Sequence, residues 1–311
     1  MIESINRAIT QLNEYICTNG KTQAAVSKEI GISPGTLSQF LSGSYIGANE
    51  EIAEKILQYL EREYERINNT AYPTYKPELR NAMLADSCLG YIQLRGGIGT
   101  IVGAAGSGKT TALKHYEEEN SGVIYVQMDA TKNSPRSVLK LIAKAAGKEI
   151  KGTASDLLDR LVEEFTGTSR LVIIDEAQHL TERSFDTVRA LTDKAGIGIV
   201  YAGTPDIRNR MVGRKQEELD QVYSRIAYNV ELNNHYTIKE IATLFHEYDL
   251  DDEIIKALYY ISSRKGGLRL SINLFILASD MAIRNNSKLT IEYLNLASKH
   301  IGTGDGVGYE Q

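Results

Sequence analysis

Gly103-Ala104-Ala105-Gly106-Ser107-Gly108-Lys109-Thr110 fits the pattern G-x-x-x-x-G-K-[ST], and Ile101-Val102 just before it reads as the end of a strand. Glycines let successive backbone N–H groups turn inward around phosphate oxygens, and the helix that follows aims its positive end at them. Residues Gly103, Ala104, Ala105, Gly106, Ser107, Gly108, Lys109, Thr110 and Thr111 are therefore the expected cradle of ATP. Lys109 would reach the β- and γ-phosphates, and the Thr110 hydroxyl would ligate Mg²⁺.

Further along, Leu171-Val172-Ile173-Ile174 runs into Asp175-Glu176. Four apolar residues, three of them β-branched, read as a buried parallel strand with both carboxylates at its carboxyl end. In open α/β sheets ligands bind at that edge. Asp175 would hold hydrated Mg²⁺, and Glu176 would polarise the water that attacks the γ-phosphate. A lone carboxylate there would fit binding alone; the adjacent glutamate favours hydrolysis.

The 311 residues suffice for two or three domains, and 42% apolar with 24% charged residues is ordinary for a globular protein. No apolar run approaches a membrane span of about 18 residues, and Met1–Asn6 lacks the basic-then-apolar build of a signal peptide. Cys17 and Cys88 fit no metal spacing and are expected to be reduced core residues of a cytoplasmic protein. With a net charge of −5, any contact with nucleic acid must come from a local patch.

Residues 1–66 read as all helix. Ile2, Ile5, Ile9, Leu12 and Ile16 recur at spacings of three and four. A short helix then ends near Gly31, and Ser33-Pro34 opens another with Ser at the cap and Pro in the first turn. This arrangement resembles the helix-turn-helix of the phage-repressor class, with Ser33–Ser42 as recognition helix. A further helix from about Asn49 to Arg66 carries Ile52, Ile56, Leu60 and Ile67 on one side. The domain holds six Lys and Arg against nine Glu, a local net of −3, and the recognition helix has no basic residue. Phosphate contacts supply most non-specific affinity, so DNA contact and protein docking both stay open for this module.

Residues 67–78, with two of the chain's five prolines, read as a linker or an extended segment crossing a domain. Strands near 99–102, 122–128, 170–175 and 197–203 alternate with helices, which predicts a parallel doubly wound α/β domain over 79–234. From His235 to Ile301 the pattern is helical. Thr237-Ile238-Lys239-Glu240 starts it with a capping box, and helices follow at Leu268–Ile283 and Thr290–Ile301. The glycine-rich tail, 302–311, is expected to hold no structure. After the fourth strand Thr204 stands at a strand tip, placed to sense γ-phosphate and attacking water. Ser224-Arg225 precedes the next apolar segment, and Gly266-Gly267-Leu268-Arg269 opens a lid helix. An arginine beside a γ-phosphate stabilises transition-state charge.

In this order the loop, the Asp-Glu strand end, the Thr tip, Ser224-Arg225 and Gly267-Leu268-Arg269 resemble an AAA+ ATPase with a helical lid. The helix-turn-helix domain ahead of it, with segments 171–180 and 224–227, is similar to the phage Mu B family of transposition ATPases. More distantly it resembles the ATPase regulators of Tn7-like and IS21-like elements. The resemblance spans essentially the whole chain. It implies Thr204 as sensor 1, Arg225 as arginine finger and Arg269 as sensor 2. Sensor 1 is often Asn in AAA+ proteins, so Thr is a departure with a shorter reach. The family binds ATP, forms helical homo-oligomers on double-stranded DNA with little sequence preference, and delivers that DNA to a DDE transposase. The transposase in turn stimulates hydrolysis.

Lys132, Arg136, Lys140, Lys144, Lys148 and Lys151 share a span whose only acid is Glu149. Four-residue spacing drifts by about 40° per step on a helix, so Arg136, Lys140, Lys144 and Lys148 are expected to form one DNA-facing stripe. Val138, Leu139, Leu141, Ile142, Ala145 and Ala146 would lie opposite. Arg208, Arg210, Arg214 and Lys215 form a second basic cluster, for DNA or a subunit interface. Two other functions compete: an AAA+ helicase loader or replication initiator, and an ATP-gated helix-turn-helix repressor. Initiators usually carry their helix-turn-helix at the C-terminus, and Glu176 speaks against a repressor.

Overall fold

A computed structural model describes residues 2–69, 72–207 and 226–301. Arg225 and the 208–215 basic cluster, like the glycine-rich tail, lie outside the described residues. The chain divides into two compact units, Met1–Ala71 with Ser279–Lys288 and Tyr72–Ala278 with Leu289–Gln311.

The first unit is built from α1 (Ile2–Thr18), α2 (Gln23–Ile30), α3 (Pro34–Leu41) and α4 (Asn49–Asn69). Thr22 caps α2 by accepting from the Ala25 N–H, and Ser33 caps α3 by accepting from that of Thr36, with Pro34 in the first turn. Gly31 ends α2 in the left-handed region, as its position after the last apolar residue predicts. The core joins Ala8, Leu12, Tyr15, Val26, Leu37, Phe40, Ile56 and Leu60. The centre of α1's buried face is Ala8, Leu12 and Tyr15, and Ile5, Ile9 and Ile16 flank it. That placement corrects the reading of Cys17 as a core residue: two positions past Tyr15, it turns outward and is exposed, whereas Cys88 is buried. Helix α4 runs on to Asn69, three residues beyond the expected Arg66.

The second unit holds a five-stranded sheet in the order β2-β3-β4-β1-β5, with β1 at Gly97–Gly103, β2 at Val123–Gln127, β3 at Leu171–Asp175, β4 at Gly198–Gly203 and β5 at Ile226–Leu232. All its neighbouring pairs are parallel. Both faces are covered at the centre of the sheet, so β3 and β4 are buried throughout. Val172 and Ile174 pack with Val138, Leu161 and Val188 from α7 (Pro135–Ala145), α8 (Ala154–Phe165) and α9 (Glu182–Ala195). Leu171 and Ile173 point the other way, toward Leu89, Ile92 and Leu113 of α5 (Arg80–Arg95) and α6 (Lys109–Glu119). The lid adds α10 (Ile238–Leu244), α11 (Asp252–Ser262), α12 (Gly267–Arg284), of which this unit holds the part up to Ala278, and α13 (Ile291–His300). The Thr237–Glu240 capping box is present as expected. No helix among the described residues is long and apolar enough to cross a membrane.

The expected basic stripe is shorter than its spacing implied. Helix α7 stops at Ala145, Gly147 takes φ +73°, and the Lys148 N–H bonds back to the Ala143 carbonyl at 2.9 Å. Lys148 therefore leaves the helix and pairs with Glu164 of α8 at 2.7 Å. The apolar side is Val138, Leu139, Ile142 and Ala143, with Leu141 and Ala146 packed against it; Ala145 is exposed. Lys140 and Lys144 stay on the exposed face. Lys132 and Lys151 are exposed too, in the loops before and after α7, and Arg136 at its first turn donates from Nε to the Gly152 carbonyl at 2.9 Å.

Candidate nucleotide site

β1 delivers residues 103–108 to the carboxyl edge of the sheet, and α6 begins at Lys109. The loop packs directly on the start of the lid. Gly106 has φ +83°, and a Cβ there would overlap the Gly266 carbonyl oxygen while reaching the Arg269 Cβ at 3.5 Å. No other residue fits both demands. Behind the loop, the Ser107 carbonyl accepts from Asn81 Nδ2 at 3.1 Å and from the Tyr236 hydroxyl at 3.2 Å. Pinning that oxygen backward turns the opposite edge of the same peptide, the Gly108 N–H, toward the mouth of the loop. Asn81 Nδ2 also donates to the Asn233 carbonyl at 2.7 Å, and Asn234 Nδ2 donates to Ala105 O at 3.3 Å. Burial pushes the Tyr236 hydroxyl up to about 12 and keeps it a donor at any working pH.

Replacing Asn81 by Ala would take one donor from the Ser107 carbonyl and one from the part-buried Asn233 carbonyl, at about 2 kcal/mol. For a unit of this size the expected fall in Tm is about 4–8 °C, with weaker nucleotide binding, both measurable in one thermal-melt titration.

Lys109 is buried, its Nζ 2.8 Å from the Gly103 carbonyl and 2.9 Å from that of Ala104. Desolvation lowers its pKa; Asp175 and then Glu176 oppose that, and Arg269 adds to it. An ammonium disfavoured by burial beside two carboxylates is a strong attractor for phosphate oxygens. Asp175 is fully buried at the end of β3. Its Oδ2 accepts from the Thr110 hydroxyl at 2.7 Å and the Tyr125 hydroxyl at 2.9 Å, and its Oδ1 from the Glu176 N–H at 2.8 Å. Burial first, then Asp175, raises the Tyr125 pKa and holds that hydroxyl protonated.

The donor set fits Mg²⁺. A hydroxyl and a carboxylate oxygen stand side by side, and Mg²⁺ usually takes one or two protein oxygens plus substrate phosphates and water. Among the described residues there is no cluster of three or more His, Cys, Asp or Glu of the kind a protein-only metal cage needs.

Glu176 follows in the left-handed region, φ 53° and ψ 36°, and its carboxylate accepts from Gln178 Nε2. Thr204 lies at the tip of β4, and its buried Oγ1 has no hydrogen-bond partner among the described residues. Thr204, Glu176, Arg269 and the loop residues 105–111 line one cavity of about 230 Å³. Its far wall is Tyr72, Pro73, Tyr75, Leu79, Leu244 and Leu268, an apolar chamber beside a polar cradle. Residues 72–76 form a segment without helix or strand that lines this cavity. Thr74 Oγ1 and Lys76 Nζ both reach Glu247 Oε1, at 2.8 and 2.5 Å, and fasten it to the lid. The Lys76 hydrogen bond, then that of Thr74, holds the Glu247 carboxyl below the usual carboxylate range.

Of the expected cradle residues, Ala105–Thr111, Glu176, Thr204 and Arg269 share this cavity, and Asp175 stands behind it bonded to Thr110. Sequence reasoning missed Asn81, Tyr125, Gln178 and Tyr236. Gln178 had a signal, being two residues from Glu176; the others reach the site only through tertiary packing.

Residues 92–211 match the AAA domain family and residues 12–67 match a helix-turn-helix family. The Mu-like prophage FluMu DNA transposition protein B of Haemophilus influenzae is 28% identical over 90% of this chain and 97% of its own. The ATP-dependent target DNA activator B of Escherichia phage Mu is 26% identical over 89% of each chain. Among solved structures, a Walker-type ATPase of Pyrococcus abyssi aligns over 74% of each chain with a TM-score of 0.48 and 13% identity. The chain is an AAA-domain ATPase with an N-terminal helix-turn-helix domain, and it resembles the phage target-DNA activators over about nine-tenths of its length.

Proposed function

We propose that the chain is an ATP-dependent, largely sequence-nonspecific DNA-binding ATPase that assembles as a helical filament on target DNA. The filament presents that DNA to a DDE transposase and activates it. The observation that carries this reading is the similarity, over 89% of the chain, to proteins named for ATP-dependent activation of target DNA.

In this reading the backbone N–H groups of 104–110 bind the phosphates and Lys109 neutralises the β- and γ-oxygens. Thr110 and Asp175 would hold Mg²⁺, which when bound offsets charge on the bridging phosphates. Glu176 accepts a proton from the attacking water as general base. Thr204, a buried donor at the strand tip, holds that water or a γ-oxygen, and Arg269 reports the nucleotide to the lid. Arg225 would come from a neighbouring copy, which makes hydrolysis depend on assembly.

The basic residues around α7 are the proposed DNA contacts. Lys132, Arg136, Lys140, Lys144 and Lys151 are exposed, and Lys148 keeps a partly exposed ammonium beside Glu164. The double variant Lys132→Ala, Arg136→Ala should weaken ATP-dependent DNA binding and flatten its salt dependence. The log–log slope should drop by about 0.9 for each phosphate that is no longer neutralised. An unchanged slope removes these residues from the interface. Electron microscopy with ATP and arbitrary duplex DNA tests the whole reading. Continuous filaments on any sequence support it; discrete particles on one operator would point to a repressor instead.

A further inference from the structure

The side chain of Gln178 joins the residues that follow two neighbouring strands, Glu176 after β3 and Thr204 after β4. Its Oε1 accepts from the Thr204 N–H at 3.2 Å, and its Nε2 donates to Glu176 Oε2. The amide's orientation is forced rather than chosen, since a backbone N–H on one side needs an acceptor and a carboxylate on the other needs a donor. Gly203 makes room for it: a Cβ at that position would overlap Gln178 Oε1, and the Gly203 φ of +157° keeps the strand tip close. Glu176 itself sits at φ 53°, a backbone region that side-chain-bearing residues occupy at a cost and keep when their surroundings enforce it. Gln178 is part of that enforcement. Its charge-assisted hydrogen bond fixes one carboxylate oxygen of a residue that lines the cavity.

We infer that Gln178 is a positioning residue that ties the carboxylate of Glu176 to the tip of β4, so that displacement of Thr204 re-aims the base. The inference rests on Glu176 being the base, as proposed above, and adds a tether between base and strand tip. A base held by one flexible side chain loses rate when that tether is cut, because misplacement by about 1 Å can cost about 100-fold. Substrate binding is untouched, since Gln178 lies outside the phosphate cradle.

Three variants of the full-length protein test this, each with steady-state phosphate release and binding of a fluorescent ATP analogue. Gln178→Ala should lower kcat about 10- to 100-fold with nucleotide Kd within about twofold of wild type. Gln178→Glu keeps an acceptor for the Thr204 N–H but sets a second carboxylate against Glu176. Its kcat should therefore fall at least as far as that of Gln178→Ala, again with nucleotide Kd near wild type. Wild-type kcat in either Gln178→Ala or Gln178→Glu overturns the inference. A Kd that worsens in step with kcat does so too, since it marks a merely structural role. Glu176→Gln separates the two levels. Should it hydrolyse ATP normally, the base assignment falls and takes this inference with it; should it be inactive while Gln178→Ala is not, only this inference falls.

Discussion

Glu176→Gln is expected to cut kcat for ATP hydrolysis by about 10²–10⁴-fold while leaving ATP affinity within about threefold of wild type. The reason is positional. Asp175 is buried and occupied by the hydroxyls of Thr110 and Tyr125, whereas Glu176 extends from a left-handed residue into the cavity the nucleotide would fill. Gln at 176 keeps volume and a hydrogen-bonding carbonyl but accepts no proton from water. Under the proposed function, in which DNA binding depends on bound ATP, the variant is also expected to stay on DNA longer, since its ATP persists. Phosphate release measures the first effect, and residence on a DNA-coated surface the second. Turnover close to that of wild type would remove Glu176 as the base.

The second large effect is expected at Lys109. Its Ala variant loses the ammonium seated inside the loop, and hydrogen bonds to charged groups contribute about 1.5–3 kcal/mol each. ATP affinity should fall by about 100-fold or more, the equivalent of two such bonds. In a melting experiment, saturating Mg-ATP should raise the wild-type Tm and leave Lys109→Ala where it was, following the binding term in the unfolding equilibrium. Arg at this position should not rescue, since a planar guanidinium does not match an ammonium seated on the carbonyls of Gly103 and Ala104. A ligand-induced Tm shift of wild-type size in Lys109→Ala would overturn the assignment.

What the sequence displayed and what it concealed divide along physical lines. The loop, the β3 run and the Ser33-Pro34 and Thr237–Glu240 caps depend on residues within a few positions of one another, and the structure reproduces them. The two-faced sheet was legible because Leu171–Ile174 is apolar throughout. Tyr125, Asn81 and Tyr236 act across the fold, and no local pattern announces that a tyrosine on β2 will meet an aspartate on β3. The extent of α7 was misjudged for a different reason. A regular spacing of basic residues ran through Lys148, and it outweighed Gly147, which ends the helix. In that case the backbone signal was in plain view and the charge pattern was the distraction. Cys17 is a similar case, where a helical context was equated with burial although its angular position on α1 faces out.

Asp175 has a consequence for how this protein can be dissected by mutation. One buried carboxylate gathers α6 through Thr110, β2 through Tyr125 and the start of the next turn through the Glu176 N–H. It is a joint as much as a ligand. An Asp175→Ala variant would loosen three elements together, so its loss of activity would mix chemistry with architecture. Glu176, one residue on, projects from that joint without holding it, and it is the cleaner place to separate catalysis from fold.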